Sequence, residues 1–291
     1  MKTEEIDELL SIDSVLEQTL KGVGIPPRPK IIDRIAAEMV KADPNFRHLG
    51  LLIAADVSLS AGLIKTANSS FFGFHGRVSS PQQALMMLGL DVASRAIAGI
   101  SLRHAFIVDK NMESFLRTSA QVAALSGWLT RIVCNGKLRA DEAYTFGLFR
   151  DCGIPVMLRR FPGYERILAR AKDDALQSFT QVEEQGMPDL PINHALVGCL
   201  LAKSWWLPQE ICLAIRHHHE ILAIDSGLPA NCRYLIAVGQ MAEHLLQILT
   251  EDDSTHEWWK LGASCLRLLD FTEEELETHY DDAAEVLQSV E

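Results

Sequence analysis

Basic residues are scarce in this sequence. Lysine and arginine number 27 against 39 aspartates and glutamates, which gives a formal charge of −12 over 291 residues. A surface of this sign repels phosphate backbones at long range. The basic runs, such as Arg159-Arg160, are too short to form a local patch. We therefore expect no nucleic-acid partner.

Several motifs of familiar enzymes and metal proteins are missing. The six cysteines include no C-x-x-C pair, the usual sign of a zinc or redox site. The chain also lacks a glycine-rich phosphate loop and a G-x-S-x-G elbow. We interpret the cysteines as buried free thiols of a reducing cytosol.

Long apolar runs are absent as well. The apolar stretches are shorter than the roughly 20 residues that a membrane span needs. The first ten residues, MKTEEIDELL, lack the apolar centre of a signal peptide. These features predict a soluble, cytoplasmic protein without membrane insertion.

Apolar residues recur instead at spacings of three and four almost everywhere, and period-two alternation is rare. This pattern predicts an all-α, multi-helix bundle with two helical lobes. Ser80-Pro81-Gln82-Gln83 predicts a helix start with a capping box, and that helix should end near Gly89. The predicted organisation is a helix over 1–21, a domain over 22–225 with lobes 22–110 and 111–225, and C-terminal helices over 226–291 that complete or flank the second lobe.

The amino half contains a specific series of segments. Ile25-Pro-Pro-Arg-Pro29 is followed by Leu51-Leu-Ile-Ala-Ala-Asp56, by Ala67-Asn-Ser-Ser-Phe-Phe-Gly73 and by Ser80 to Gly89. On physical grounds alone the third segment is a helix–loop–helix corner. The order and spacing resemble the amino half of HDOD domains, which are bacterial signalling modules, although Val57 stands where the family has proline. The resemblance implies a candidate interaction surface at this corner, with the groove between the lobes; its residues are Asn68, Ser69, Phe71, Phe72 and Gly73.

The carboxyl half continues the resemblance. Ile192-Asn-His194, Gly198, Trp205-Trp-Leu-Pro208 and Ile215-Arg-His-His-His219 are similar to the second part of HDOD and related HD domains. His194, His218 and His219 match histidines of the family. Taken as residues, they are interpreted as hydrogen-bonded core histidines, because consecutive histidines on a helix point to different faces.

HDOD domains are also similar to HD-type phosphohydrolases, whose histidines and aspartates hold divalent ions. The resemblance implies a vestigial site at six positions of this chain: Thr118, Arg150, Asp151, His194, His218 and Gly239. Three of the four principal ligands are thus replaced, and an arginine cannot lose its proton to bind a metal. We expect no catalytic residue, no metal and no cofactor. Asp151 is interpreted mainly as a cap of the helix from Ile154, or as the partner of a basic side chain.

These features predict a non-catalytic regulatory protein of bacterial signal transduction. As the resemblance implies, it would act through contact with a protein partner such as a kinase, a response regulator or a second-messenger enzyme. Two alternatives stay open. One is a sensor that binds a nucleotide or second messenger in the vestigial pocket, with Arg150 supplying positive charge. The other is a metal-dependent phosphohydrolase with an unusual ligand set of Asp151, His194 and His218.

Overall fold

The computed structural model describes residues 23–69, 78–106, 110–190, 192–225, 227–251 and 256–288. Within these ranges the chain forms helices joined by turns and contains no strand, which confirms the all-α prediction. The predicted helix over 1–21 lies outside the described residues. The chain divides into two compact units, which we call the N-terminal unit (Pro26–Glu113) and the C-terminal unit (Ser114–Glu291 with residues 23–25).

Three of the four described helices of the N-terminal unit begin at a side-chain cap, and the first begins after Pro29 without one. The helices are α1 (Lys30–Met39), α2 (Phe46–Ala54), α3 (Val57–Ala67) and α4 (Pro81–Phe106). The Asp56 carboxylate accepts hydrogen bonds from the backbone N–H groups of Ser58 and Leu59, each at 3.0 Å. This cap fixes the start of α3 with Val57 at its first position, so the helix forms without the proline of the family pattern.

Helix α4 is broken at Gly89, as the sequence predicts. Gly89 has φ 75° and ψ 162°, which a helix does not contain and which glycine adopts without a steric penalty. At its start, the Ser80 hydroxyl accepts from the Gln83 N–H at 3.2 Å. The Gln83 side chain accepts from the Ser79 N–H rather than from that of Ser80. The predicted capping box is therefore wrong in its second half.

The same helix corrects one expectation from the sequence. By length and composition alone α4 could cross a membrane, since an 18-residue window has a mean hydropathy of 1.5. However, 56% of that window is buried inside the protein, and Gly89 interrupts the helix. A helix that is packed on several sides inside a folded unit is apolar on each of those faces, which accounts for the high mean hydropathy of α4.

Asn68, at the end of α3, joins the two ends of the following loop. Its amide nitrogen donates to the Val78 carbonyl at 2.7 Å, and its amide oxygen accepts from the Val78 N–H at 2.8 Å. Its neighbour Ser69 donates to the Thr66 carbonyl. Phe71, Phe72 and Gly73 of the predicted interaction surface lie outside the described residues. The Asn68 side chain therefore has a structural role, because it ties the backbone of Val78 to the end of α3.

The C-terminal unit is larger and holds all the histidines discussed below. Its helices are α5 (Lys110–Val133, most of it), α6 (Ala140–Phe149), α7 (Gly153–Arg160), α8 (Tyr164–Asp173), α9 (Phe179–Gly186), α10 (His194–Ser204), α11 (Gln209–His217), α12 (Ile221–Asp225), α13 (Ala230–Thr250), α14 (Glu257–Leu269), α15 (Glu273–Glu277) and α16 (Tyr280–Gln288). Large side chains such as Trp205, Tyr164 and Phe146 are fully buried in its core. Helices α6 and α11 both pack against α13, which therefore lies behind the candidate site.

Two glycines allow α7 and α10 to approach closely. A Cβ at Gly153 would overlap the backbone carbonyl of His194 and would lie 2.7 Å from the Gly198 nitrogen. At Gly198 a Cβ would lie 3.2 Å from the Gly153 nitrogen. This backbone contact brings the start of α10, and with it His194, next to the turn that carries Asp151.

Candidate metal-binding site

Four side chains of the C-terminal unit converge on one point. They are Asp151, His194, His218 and His219, and one donor atom of each lies within 4.8 Å of the others. The Nε2 atom of His194 is 3.5 Å from that of His218 and 3.1 Å from that of His219. The Oδ1 atom of Asp151 is 3.3 Å from His218 Nε2 and 3.5 Å from His194 Nε2. The rings of all three histidines are buried.

The local backbone explains how four groups from distant segments meet. Asp151 lies in the tight turn between α6 and α7, and His194 is the first residue of α10, behind the capping side chain of Asn193. Helix α11 ends at His217, so His218 and His219 follow it in a turn. Because they have left the helix, both rings point to the same place. The sequence-based expectation that adjacent histidines diverge does not apply there.

Every histidine of the cluster is held from its other ring nitrogen. His194 Nδ1 is 2.7 Å from Glu183 Oε2, His219 Nδ1 is 2.5 Å from Glu257 Oε2, and His218 Nδ1 is 2.7 Å from the Ile215 carbonyl. These oxygens can only accept, so each Nδ1 carries the hydrogen. In a neutral ring the Nε2 atom then presents a lone pair, and the three Nε2 atoms face one another. This tautomer pattern is the one found for histidines that bind metals through Nε2.

Two of these acceptors are buried carboxylates with further partners. Glu183 on α9 also accepts from the Tyr164 hydroxyl and from the His194 backbone N–H. Glu257 on α14 also pairs with Lys260. Burial is the main cause that raises the pKa of Tyr164 well above its usual value, and the Glu183 charge adds to it. Phe179 stacks on the His219 ring at 4.6 Å, which closes the apolar side of the cluster.

The surroundings shift the pKa values of the cluster residues in different directions. Burial alone lowers the pKa of His194, but the Glu183 and Asp151 carboxylates outweigh it and raise that pKa to about 9. For His219, burial and the neighbouring His218 outweigh Glu257 and lower the pKa to about 3. Burial raises the pKa of Asp151, but Arg150 and hydrogen bonds from the histidines hold it well below its usual range.

Arg150 lies directly beside the cluster and is almost fully buried, with 3% of its side chain exposed. Its Nε donates to Asp151 Oδ2 at 2.9 Å, its Nη1 to the Gly239 carbonyl at 3.2 Å, and its Nη2 to Glu243 Oε2 at 2.6 Å. One oxygen of Asp151 therefore faces the guanidinium and the other faces the histidines. The two carboxylates balance the charge of Arg150, and these contacts argue against its use as a free anion-binding group.

The structure places five of the six predicted vestigial-site residues together. Arg150, Asp151, His194 and His218 contact one another as described, and Gly239 contributes a carbonyl oxygen to Arg150. Thr118 is exposed on α5 and is not part of this buried group. The predicted helix cap by Asp151 is wrong: Cys152 occupies the N-cap position of α7 without a side-chain bond, and the Asp151 carboxylate turns inward to Arg150.

Sequence reasoning left out four residues of this site. His219 was matched to a family histidine but not assigned to the vestigial site. Glu183, Glu243 and Glu257 were not considered. Along the chain they lie 11, 93 and 38 residues from the side chains that they contact, which are His194, Arg150 and His219. A charged residue among buried helix positions is unusual unless it is paired. Glu183 beside Val182 in α9 is therefore the signal that could have indicated a buried partner.

Comparison with known proteins gives the class and then the family. The class is an all-α protein with a buried histidine–aspartate cluster. The HDOD domain model matches residues 25–221, more than half of the chain, so the chain belongs to the HDOD domain family. A curated relative, an uncharacterized protein of Treponema pallidum (strain Nichols), is 24% identical over 199 residues, which are 68% of this chain. The chain spans only 38% of that relative's length.

Solved structures have the same fold. An HDOD domain protein of unknown function from Geobacter sulfurreducens is 21% identical, with 98% of both chains covered and a TM-score of 0.66. A candidate phosphohydrolase of Shewanella amazonensis SB2B is 18% identical, with 96% of this chain and 98% of that chain covered and a TM-score of 0.66. A candidate signal transduction protein of Marinobacter aquaeolei VT8 is 24% identical, with 99% of this chain and 63% of that chain covered and a TM-score of 0.59.

The residues present fit one type of metal site and not another. A two-metal phosphohydrolase site of the HD type would need donor side chains at Thr118, Arg150 and Gly239. These positions hold an exposed hydroxyl, a buried cation and no side chain. The N₃O set of three imidazoles and one carboxylate does fit a single divalent ion of intermediate softness. The candidate site is therefore the four-residue cluster alone.

Proposed function

We propose that this protein is a non-catalytic regulatory HDOD module of bacterial signal transduction, which acts in the cytoplasm by binding a protein partner. The observation that supports the absence of catalysis is the position of Arg150. Two-metal hydrolysis needs two cations about 3.5–4 Å apart that share bridging ligands. In this protein Asp151 is shared between the histidine cluster and a guanidinium, so a permanent organic cation stands beside the cluster.

A guanidinium cannot replace a metal ion in hydrolysis. It has no vacant coordination position, so it cannot bind a water molecule and lower its pKa. Glu243 and the Gly239 carbonyl also hold it in place. Membership in the HDOD family and the named signal transduction relative of Marinobacter aquaeolei support a regulatory role.

Exposed apolar side chains support a role in protein binding. Leu51 on α2 and Met86 on α4 are 65% and 64% exposed, and the two helices pack against each other. Exposed apolar groups on adjacent elements are typical of contact surfaces. We infer that the partner, of the kinase, response regulator or second-messenger enzyme class, binds on the N-terminal unit.

Two assays test this proposal. Purified protein is incubated with Mn²⁺, Fe²⁺ or Zn²⁺ and with phosphate monoesters, phosphodiesters, nucleotides and cyclic dinucleotides, beside a His218→Gln variant. We expect no product above the variant. Turnover that His218→Gln abolishes would instead support a phosphohydrolase.

The second assay is cross-linking capture in cells of the source organism. The Leu51→Glu/Met86→Glu variant should lose a signalling partner that wild type captures. Leu176→Glu, at a residue 93% exposed in the C-terminal unit, is the matched control and should keep it. Equal capture by all three proteins would contradict binding on the N-terminal unit.

A further inference from the structure

The donor atoms of the cluster lie at distances that a small divalent ion could span. Zinc–nitrogen and zinc–oxygen bonds of about 2.0–2.1 Å place neighbouring ligand atoms about 3.3 Å apart in tetrahedral coordination. Four of the six donor pairs are separated by 3.1–3.5 Å, and all four donor atoms lie within 4.8 Å of one another.

Hydrogen bonding within the cluster does not account for this arrangement. Each Nδ1 hydrogen is directed to an acceptor outside the cluster, namely Glu183, Glu257 or the Ile215 carbonyl. The three Nε2 atoms can therefore gain a hydrogen only by forming an imidazolium. One extra proton bridges a single pair of atoms, whereas the four donor atoms of the cluster form four close pairs. A cation at the centre interacts with all three lone pairs and with the Asp151 carboxylate at once.

The supporting residues also match those of a metal site. Metal-binding histidines usually donate their second ring hydrogen to a carboxylate or a backbone carbonyl, which fixes the ring and makes it a better ligand. All three histidines do so, and the two carboxylates, Glu183 and Glu257, are themselves fully or almost fully buried. Burying a carboxylate costs free energy unless it is hydrogen-bonded, and here each of the two carboxylates holds one histidine ring in a fixed orientation.

We propose that Asp151, His194, His218 and His219 hold one divalent transition-metal ion of the zinc class, as a structural site rather than a catalytic one. Four protein donors complete a tetrahedral shell, which is typical of structural sites, whereas catalytic zinc keeps a position open. The ion links the turn after α6, the start of α10 and the end of α11. Through Glu183 and Glu257 it also connects α9 and α14 to the same centre. This inference does not depend on the proposed function, since a structural ion is compatible with any partner.

Metal analysis of the full-length protein, prepared without a histidine tag, tests the proposal. We expect one equivalent of metal after purification or after exposure of the chelator-treated protein to Zn²⁺ or Co²⁺. Bound Co²⁺ should show the strong visible absorption of tetrahedral coordination. Rebinding should raise Tm by roughly 5–10 °C at saturating metal. A wild-type protein that takes up no stoichiometric metal, or that binds Co²⁺ without the tetrahedral spectrum, would overturn the proposal.

Variants separate this site from adventitious binding. His194→Gln and His219→Gln should each weaken Co²⁺ binding at least tenfold, and Glu257→Gln, which changes only a supporting residue, should weaken it by roughly 10–100-fold. His104→Gln, at an exposed histidine of the N-terminal unit, is the control and should bind as wild type does. Circular dichroism checks that the variants remain helical. If a variant does not fold, the wild-type stoichiometry and spectrum still decide. Wild-type affinity in a folded His219→Gln protein would contradict the assignment.

Discussion

At the scale of single residues, the most informative side chain is Arg150. A buried guanidinium is tolerated only when its charge and its donors are matched, and here two carboxylates and a carbonyl provide the match. The replacement of a histidine by arginine could be identified from the sequence. Its consequence could not, because Glu243 lies 93 residues away and helix periodicity does not reveal which buried charges meet.

Removal of this charge should be strongly destabilising. Arg150→Met leaves Asp151 and Glu243 without their cation, and we expect a loss of about 3–5 kcal/mol in the free energy of unfolding, measured by urea denaturation. Arg139, which pairs with Asp141 and is 59% exposed, offers a control, and Arg139→Met should cost less than about 1 kcal/mol. Similar losses for the two variants would show that the Arg150 contacts contribute little.

The histidines show what sequence reasoning can and cannot supply at this scale. Their types and positions matched histidines of the family, and His194 and His218 were assigned to the vestigial site, but His219 was not. The geometry depends on α11 ending at His217, so that His218 and His219 leave the helix together. Helix ends are uncertain by one or two residues in any prediction, and here that small uncertainty decides whether two rings converge or diverge.

At the scale of helices, the crossing of α7 and α10 determines the site. Gly153 and Gly198 let the two backbones touch, and that contact places His194 beside Asp151. Gly198 is one of the residues that carry the family resemblance, but the sequence alone does not show which helix it contacts. The helices themselves were predictable, because apolar spacing, caps and the break at Gly89 are local features. Their pairing depends on contacts between distant segments.

A methyl group at this crossing should separate the helices. We expect Gly153→Ala to reduce the free energy of unfolding by about 3 kcal/mol, because its Cβ would overlap the His194 carbonyl. It should also weaken metal binding, since His194 moves with that carbonyl. Gly198→Ala makes milder contacts of 3.2–3.3 Å and should cost less in the same urea titration. A larger loss for Gly198→Ala than for Gly153→Ala would contradict this account.

At the scale of the whole molecule, the burial of the cysteine thiols shows how well the core is shielded from solvent. All six cysteines are free and buried, which confirms the prediction of buried free thiols. Burial raises the pKa of the Cys134 and Cys199 thiols to about 11 and of Cys232 and Cys265 to about 12. The thiolate is the reactive form, so both burial and these pKa values protect the cysteines.

A thiol-reactive reagent should therefore detect unfolding. At pH 8 we expect the native protein to react slowly with a disulfide reagent such as dithiobis(nitrobenzoate), and the urea-unfolded protein to release six equivalents at once. The absorbance of the released thiolate measures both. Rapid reaction of any cysteine in the native protein would mean that the core opens easily around that residue.

Helices α13 and α14 lie beyond residue 221, where the family model ends, yet they supply Glu243 to Arg150 and Glu257 to His219. The boundary of the family pattern is therefore not a boundary of the folded unit. A fragment cut at residue 221 would keep every family motif but would remove Glu243 from Arg150 and Glu257 from His219. Shortened versions of this protein for crystallisation or partner screening should extend at least to Leu269, where α14 ends.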